Sequence, residues 1–320
     1  MKRKTFFLFL SLIFIVFSFG CVSNGGSQEE AEASYVVAKF PINGTILING
    51  NPGSSASLVS GEPLEISLKF KNSGDQTMYD LTGISTGCLE EVSKSAAADL
   101  LEPNAQQFFS WSFKALDLQS SSKISCPQAL RLCYETEADG VVQIVLVPEN
   151  WNSEFPIPSS TYTSDVLSLG FQLGAVRVLK EGDNNFTGKL IIMNVGPGWV
   201  DYANYSKYGA RADGSPALGI NLLKNLTLKI ATEDSGIVIK KVFDEPVNEK
   251  ETVIDTTQIG KDKEYLLRLI QGRELDIPIK FEVKDPSKYQ STPVIETLQI
   301  EIHHGYCIDV GSVDITMTGR

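Results

Sequence analysis

Apolar and polar residues alternate with a period of two through much of the chain beyond residue 35. Leu64, Ile66, Leu68 and Phe70 alternate with Glu65, Ser67, Lys69 and Lys71. Phe109, Trp111, Phe113 and Ala115 alternate with Ser110, Ser112 and Lys114. Late in the chain, Leu275, Ile277, Ile279, Phe281 and Val283 alternate with Asp276, Pro278, Lys280 and Glu282. Successive side chains of a strand point to opposite faces, so each run predicts a strand with one buried and one wet face. Such strands build antiparallel sandwiches, and the expected class is all-β.

The pattern occurs twice. Ser67-Leu68-Lys69-Phe70-Lys71-Asn72-Ser73-Gly74 is echoed by Lys189-Leu190-Ile191-Ile192-Met193-Asn194-Val195-Gly196. The run from Leu101 to Ala115 is echoed by Leu269 to Val283, and Ala129 to Val147 by Leu298 to Met317. The last pair reads as strand, turn, strand. Three matched blocks in one order predict two tandem copies of one sandwich, over 35–150 and 165–320. Residues 151–164, in a Pro- and Ser-rich stretch, read as the linker between them. The second copy carries an insertion, 197–222, after its Asn-x-Gly turn.

The chain opens with Met1-Lys2-Arg3-Lys4, an apolar run from Thr5 to Phe19, and Gly20-Cys21. A basic start, a short apolar stretch and small residues describe an export signal over residues 1–20. Residues 21–34, rich in Gly, Ser and acid, read as a flexible tether. The segment resembles a prokaryotic lipoprotein signal, with Ser18 and Phe19 departing from the residues usual before Gly-Cys. The resemblance implies lipid on Cys21 and a membrane anchor facing outward. Two other fates fit the residues: an uncleaved span, short for a bilayer core of about 30 Å, and cleavage to a free protein.

Composition narrows the rest. A hydrophobic content of 42% and 9% aromatic residues belong to a folded chain. The net charge of −11 grows more negative once the basic start is removed, and it disfavours nucleic acid and anionic lipid as partners. Apart from Cys21 there are Cys88, Cys126, Cys133 and Cys307, an even number in an exported chain, which favours disulfides. Cys88 and Cys126 flank strands that meet at one end of a sheet and are expected to pair. Cys133 and Cys307 remain, on equivalent strands of the two copies, where a bond would staple the copies together.

Candidate chemistry is sparse. Gly83-Ile84-Ser85-Thr86-Gly87 has the G-x-S-x-G form of a nucleophile elbow, but its flanks are β-patterned with no βαβ unit around them. His303 and His304 are neighbours on a strand, so their rings face opposite ways and cannot share a metal. No residue set points to a cofactor. Asn43, Asn185, Asn204 and Asn225 head N-x-[ST] sequons and are glycosylation candidates. Trp199, Tyr202, Tyr205 and Tyr208 recur every third residue in the insertion. They form either a recognition loop or a lid over their own sandwich.

The order of strand, Asn-x-Gly turn, strand, alternating aromatic strand and closing pair resembles the immunoglobulin-like modules of prokaryotic surface proteins, archaeal ones included. The cell-adhesion-related CARDB type is nearest. The resemblance implies a seven-strand sandwich in each copy, and binding of an envelope protein or glycan, with no catalytic residues. The expectation is therefore a non-enzymatic, membrane-anchored surface protein. A spacer or envelope-complex subunit is the alternative, and a serine hydrolase resting on Ser85 the remote one.

Overall fold

A computed structural model of the protein describes residues 41–154, 159–173, 177–179, 184–200, 221–232, 234–255 and 267–320. The expected signal, the tether and Cys21 lie outside these residues. The fold is all-β: one ten-stranded sheet and two five-stranded sheets, whose buried side chains join in one continuous hydrophobic cluster.

In the first copy, one sheet has the order β2 (Asn51–Pro52), β1 (Ile42–Ile48), β4 (Pro63–Asn72), β8 (Gln106–Lys114), β6 (Glu90–Ser95). In the second copy the corresponding sheet is β11 (Leu167–Leu173), β13 (Asn185–Asn194), β19 (Glu274–Val283), β16 (Ile237–Val242), β17 (Glu245–Glu249). The alternating runs of the sequence lie in β4, β8 and β19, with Leu64, Ile66, Leu68, Phe70, Trp111, Ile277, Ile279 and Phe281 buried. Phe70, Phe109 and Trp111 meet edge-on, with centroids 5.0 and 6.5 Å apart. Each such side chain contributes about 1.5–3 kcal/mol when fully buried.

Both copies close against one shared sheet. Its centre is β9 (Lys123–Pro148) and β20 (Val294–Thr318), strands of 26 and 25 residues. They pair antiparallel from Lys123 opposite Thr318 to Leu146 opposite Val294, with one bulge between Asp309 and Gly311. On β9 stand β5 (Met78–Thr86), itself paired with β7 (Ala97–Leu101), then β10 (Ser160–Thr163) and the parallel β12 (Arg177–Leu179). On β20 stand the parallel β3 (Ser55–Val59), β14 (Trp199–Val200) and β15 (Asn225–Ile230), which also pairs with β18 (Glu251–Asp255).

This arrangement corrects the tandem expectation. The blocks at 129–147 and 298–317 are not hairpins; each is part of one unbroken strand. Along β9, Ala129–Glu135 pairs with β5 of the first copy and Asp139–Pro148 with β10 and β12, and β20 pairs with β15 and β14 of the second copy and with β3 of the first. Residues 294–318 therefore run beside strands of both copies. Within the expected linker, 151–164, Ser160–Thr163 is a strand of the shared sheet. The physical reason lies in Ala138-Asp139-Gly140, which reads as a turn by composition. Here β20 holds one flank and β10 the other, so the segment stays extended. Gly140 permits it, since a Cβ would lie 3.1 Å from the Tyr162 ring.

The two copies are built in the same register. Ile42 faces Asn72 as Leu167 faces Asn194, and Leu68 faces Phe109 as Leu190 faces Ile277. Because β9 and β20 are antiparallel, equivalent copies are related by a pseudo-twofold axis near the Glu135–Gly305 pair.

The disulfides are Cys88–Cys126 and Cys133–Cys307. Two such bonds place the folded part in an oxidising compartment outside the cytoplasm. Among the described residues no helix is long and apolar enough to cross a membrane.

Candidate functional site at the junction of the copies

Each Asn-x-Gly turn folds the same way. The Asn72 amide donates to the carbonyls of Gln76 and Leu101 at 2.8 and 3.2 Å, and its oxygen accepts from Gly74 N–H at 3.0 Å. Asn194 repeats this with Gly198, Gly272 and Gly196 at 3.0, 3.3 and 3.1 Å. An asparagine is required because one side chain must both donate and accept. The glycine is required by crowding: a Cβ on Gly74 would collide with the Asp165 carboxylate, and one on Gly196 with the Tyr306 hydroxyl.

These turns bring the copies together. Asp165, at the start of the second copy, is buried and accepts from Asp75 and Gln76 N–H of the first, each at 3.0 Å. Tyr306 accepts from Gly198 N–H at 2.6 Å and lies against Tyr134 across the strands, with centroids 5.9 Å apart. Burial pushes the Tyr306 hydroxyl up to about 12. Tyr134 is also raised well above the usual phenol value, by burial and then by Tyr306 and Asp165. Both remain neutral phenols at physiological pH.

Beside this junction stands Trp199. It is half-buried on β14, and the Arg131 guanidinium lies 4.4 Å from its ring centroid. Arg131 Nε donates to Asp309 Oδ1 at 2.9 Å, which ties the cation in place over the indole. An open groove of about 340 Å³ adjoins it, between β1 at Ile42–Gly44 and β20 at Ile308–Val310. Val200, at the end of β14, and Leu222 are both buried. In the first copy the equivalent strand, β5, continues with only a register shift between Tyr79 and Thr82. Tyr202, Tyr205 and Tyr208 lie outside the described residues.

The other candidates are placed as follows. Ser85 sits within strand β5, not on a strand-to-helix elbow, and its hydroxyl accepts from the Gln128 amide at 2.8 Å. His304 points into the core and is fully enclosed; burial lowers its pKa to about 4, with the Ile302 carbonyl opposing, so the ring is neutral. His303 points outward between Glu301 and Glu137, at 2.6 and 3.1 Å. Asp139 on the same face is raised by partial burial and by Glu301 opposite, with His303 opposing. No group of three or more His, Cys, Asp and Glu among the described residues could hold a metal. Of the sequon residues, Asn43 and Asn185 are exposed, whereas Asn225 Oδ1 accepts from His303 N–H at 3.3 Å within the sheet. Asn204 lies outside the described residues.

Asp165 and Arg131 belong to no motif in the sequence. Nothing in their neighbourhood along the chain marks them, because their partners are 75–76 and 309.

The sequence matches no protein-family model and no curated protein. Among solved structures, the secreted serine protease VesC from Vibrio cholerae is similar at 9% identity, with a TM-score of 0.18. The match covers 76% of this chain and 48% of that one, so the chain spans about half of its length. Overlap that loose carries no argument about fold or activity.

Proposed function

We propose that the protein is a non-enzymatic surface protein, anchored by lipid on Cys21, whose paired immunoglobulin-like sandwiches of CARDB type bind an envelope protein or glycan. The contact surface is Trp199 with the insertion 197–222. One observation carries this reading. Trp199 is held partly exposed on a guanidinium where the second copy departs from the first, and the departure inserts three tyrosines. Long loops on rigid sandwiches are where recognition residues concentrate. Trp and Tyr give large contact area at low entropic cost. Asn43 and Asn185 have the exposure that glycosylation needs.

Affinity capture from envelope extracts tests it, with the exported chain made soluble by Cys21→Ser and the Trp199→Ala/Tyr205→Ala variant beside it. Capture of a defined partner by the parent, lost in the variant, supports the reading. Equal capture by both removes Trp199 and Tyr205 from the contact.

A spacer role has its own support. A strand of 26 residues is about 85 Å long, and two of them joined along their length make a stiff body.

A further inference from the structure

Three neighbouring strands set one group of side chains on the face of the shared sheet opposite the buried Leu130, Leu132 and Tyr134. In the ladder Arg131 stands opposite Asp309, and Cys133 opposite Cys307, which in turn faces Trp199 of β14. Directly paired residues, and residues two apart on one strand, share a face. Trp199 therefore lies on the same face as the Arg131–Asp309 ion pair and the Cys133–Cys307 disulfide. That disulfide ties β20, against which Trp199 pairs, to β9, which carries Arg131. The guanidinium covers one side of the indole, and Trp199 lines the groove of about 340 Å³ with what stays exposed. Ile42, Ile308 and Val310 line the same groove, together with the exposed Asn43 and Asp309.

We propose that this groove is a carbohydrate site for a neutral hexopyranose, with Trp199 as the stacking platform and Asp309 and Asn43 as the hydroxyl-binding groups. It rests on the reading of Trp199 as a contact residue and narrows the ligand to a sugar. A pyranose ring presents C–H groups on a face and hydroxyls around its belt. The C–H face packs on an aromatic ring, and the belt needs carboxylate or amide partners at fixed places. The groove combines these groups. One Asp309 oxygen accepts from Arg131, yet 59% of the side chain stays exposed, which leaves the carboxylate free to accept from a ligand as well. Ile42 is buried and a Cβ on Gly44 would lie 3.2 Å from Leu68, so Asn43 between them faces outward. Its amide both donates and accepts.

Size and charge separate this ligand from others. Small-ligand sites measure about 300–1,000 Å³, and the groove falls at the lower end of that range. A protein contact of ordinary size covers about 800 Å² on each partner, more than a groove this small supplies alone. Anionic sugars are disfavoured by the Asp309 carboxylate in the wall and by a net charge of −11. The one cation at the wall, Arg131, is already engaged by that carboxylate and by the indole. The platform is also held before any ligand arrives, so little ordering entropy is lost on binding.

Saturation-transfer NMR with the methyl glycosides of glucose, galactose, mannose and N-acetylglucosamine tests it. The protein is the Cys21→Ser chain from a host that does not N-glycosylate, so that Asn43 stays bare. At least one of these neutral sugars is expected to receive saturation at millimolar concentration, most strongly at the C–H protons of one ring face. Methyl glucuronide is expected to receive much less. Trp199→Ala should weaken binding at least about 10-fold. Asn43→Ala, an exposed change, should weaken it several-fold with the thermal midpoint unmoved, which separates a lost contact from a lost fold. Trp151→Ala should leave it unchanged, since that indole donates to the Glu154 carbonyl elsewhere. Silence from every neutral sugar overturns the proposal, as does equal binding by the parent and Trp199→Ala, or a preference for the glucuronide. The two readings fail separately. Silent sugars alongside Trp199-dependent capture of a protein from envelope extracts remove the sugar site alone, whereas Trp199-dependent sugar binding stands whether or not any protein is captured.

Discussion

Cys133 and Cys307 are direct cross-strand partners, their Cα atoms 4.1 Å apart and their positions 174 residues apart in sequence. The bond joins the two strands that both cores share, close to the pseudo-twofold axis. In the chain-entropy view a loop that long is worth about 5 kcal/mol, against about 4 kcal/mol for the loop closed by Cys88–Cys126.

The first prediction follows. Cys133→Ala/Cys307→Ala should lower unfolding stability by about 3–5 kcal/mol. The loss should be at least as large as that for Cys88→Ala/Cys126→Ala. Denaturant titration of both variants under oxidising conditions checks the order.

Asp165 and Gly74 should behave as a coupled pair. Asp165→Ala removes the carboxylate that accepts from Asp75 and Gln76 N–H and should cost about 2–3 kcal/mol. Gly74→Ala drives a methyl into that carboxylate and should cost about 1–3 kcal/mol. The double variant should lose less than the two single losses combined, because the methyl then has room. Strictly additive losses in urea titrations would place Asp165 away from the turn.

The enclosed His304 predicts a pH dependence. Its native pKa is lowered to about 4 from an ordinary 6.5, so the unfolded chain binds the extra proton first. The stability it contributes is fully present above about pH 6.5 and is lost as pH falls toward 4, amounting to roughly 3 kcal/mol. His304→Gln should be less stable at pH 7 and should flatten the wild-type slope between pH 6.5 and 4. Midpoint-versus-pH curves for the two proteins decide this, and parallel curves would mean that His304 titrates normally.

What the sequence disclosed, it disclosed through periodicity. Matched runs such as 101–115 and 269–283 gave the repeat, and the structure pairs their residues in the same register. The shared sheet was not legible. Glu137-Ala138-Asp139-Gly140 and His303-His304-Gly305 have turn-like composition, and what keeps them extended is strands from remote parts of the chain. The site was only half legible. Trp199 announced itself as one of a spaced aromatic series, whereas Arg131 reaches it, and Asp165 reaches its turn, only through tertiary contact. Ser85 matches the elbow motif by letters alone, since it lies within β5 and accepts from Gln128.

The central claim is that the two copies form one body on β9 and β20. Scanning calorimetry of the oxidised exported chain measures this most directly. A single transition is predicted, with calorimetric and van't Hoff enthalpies equal, because neither core can close without both long strands. Two resolved transitions, one copy melting while the other persists, would contradict it.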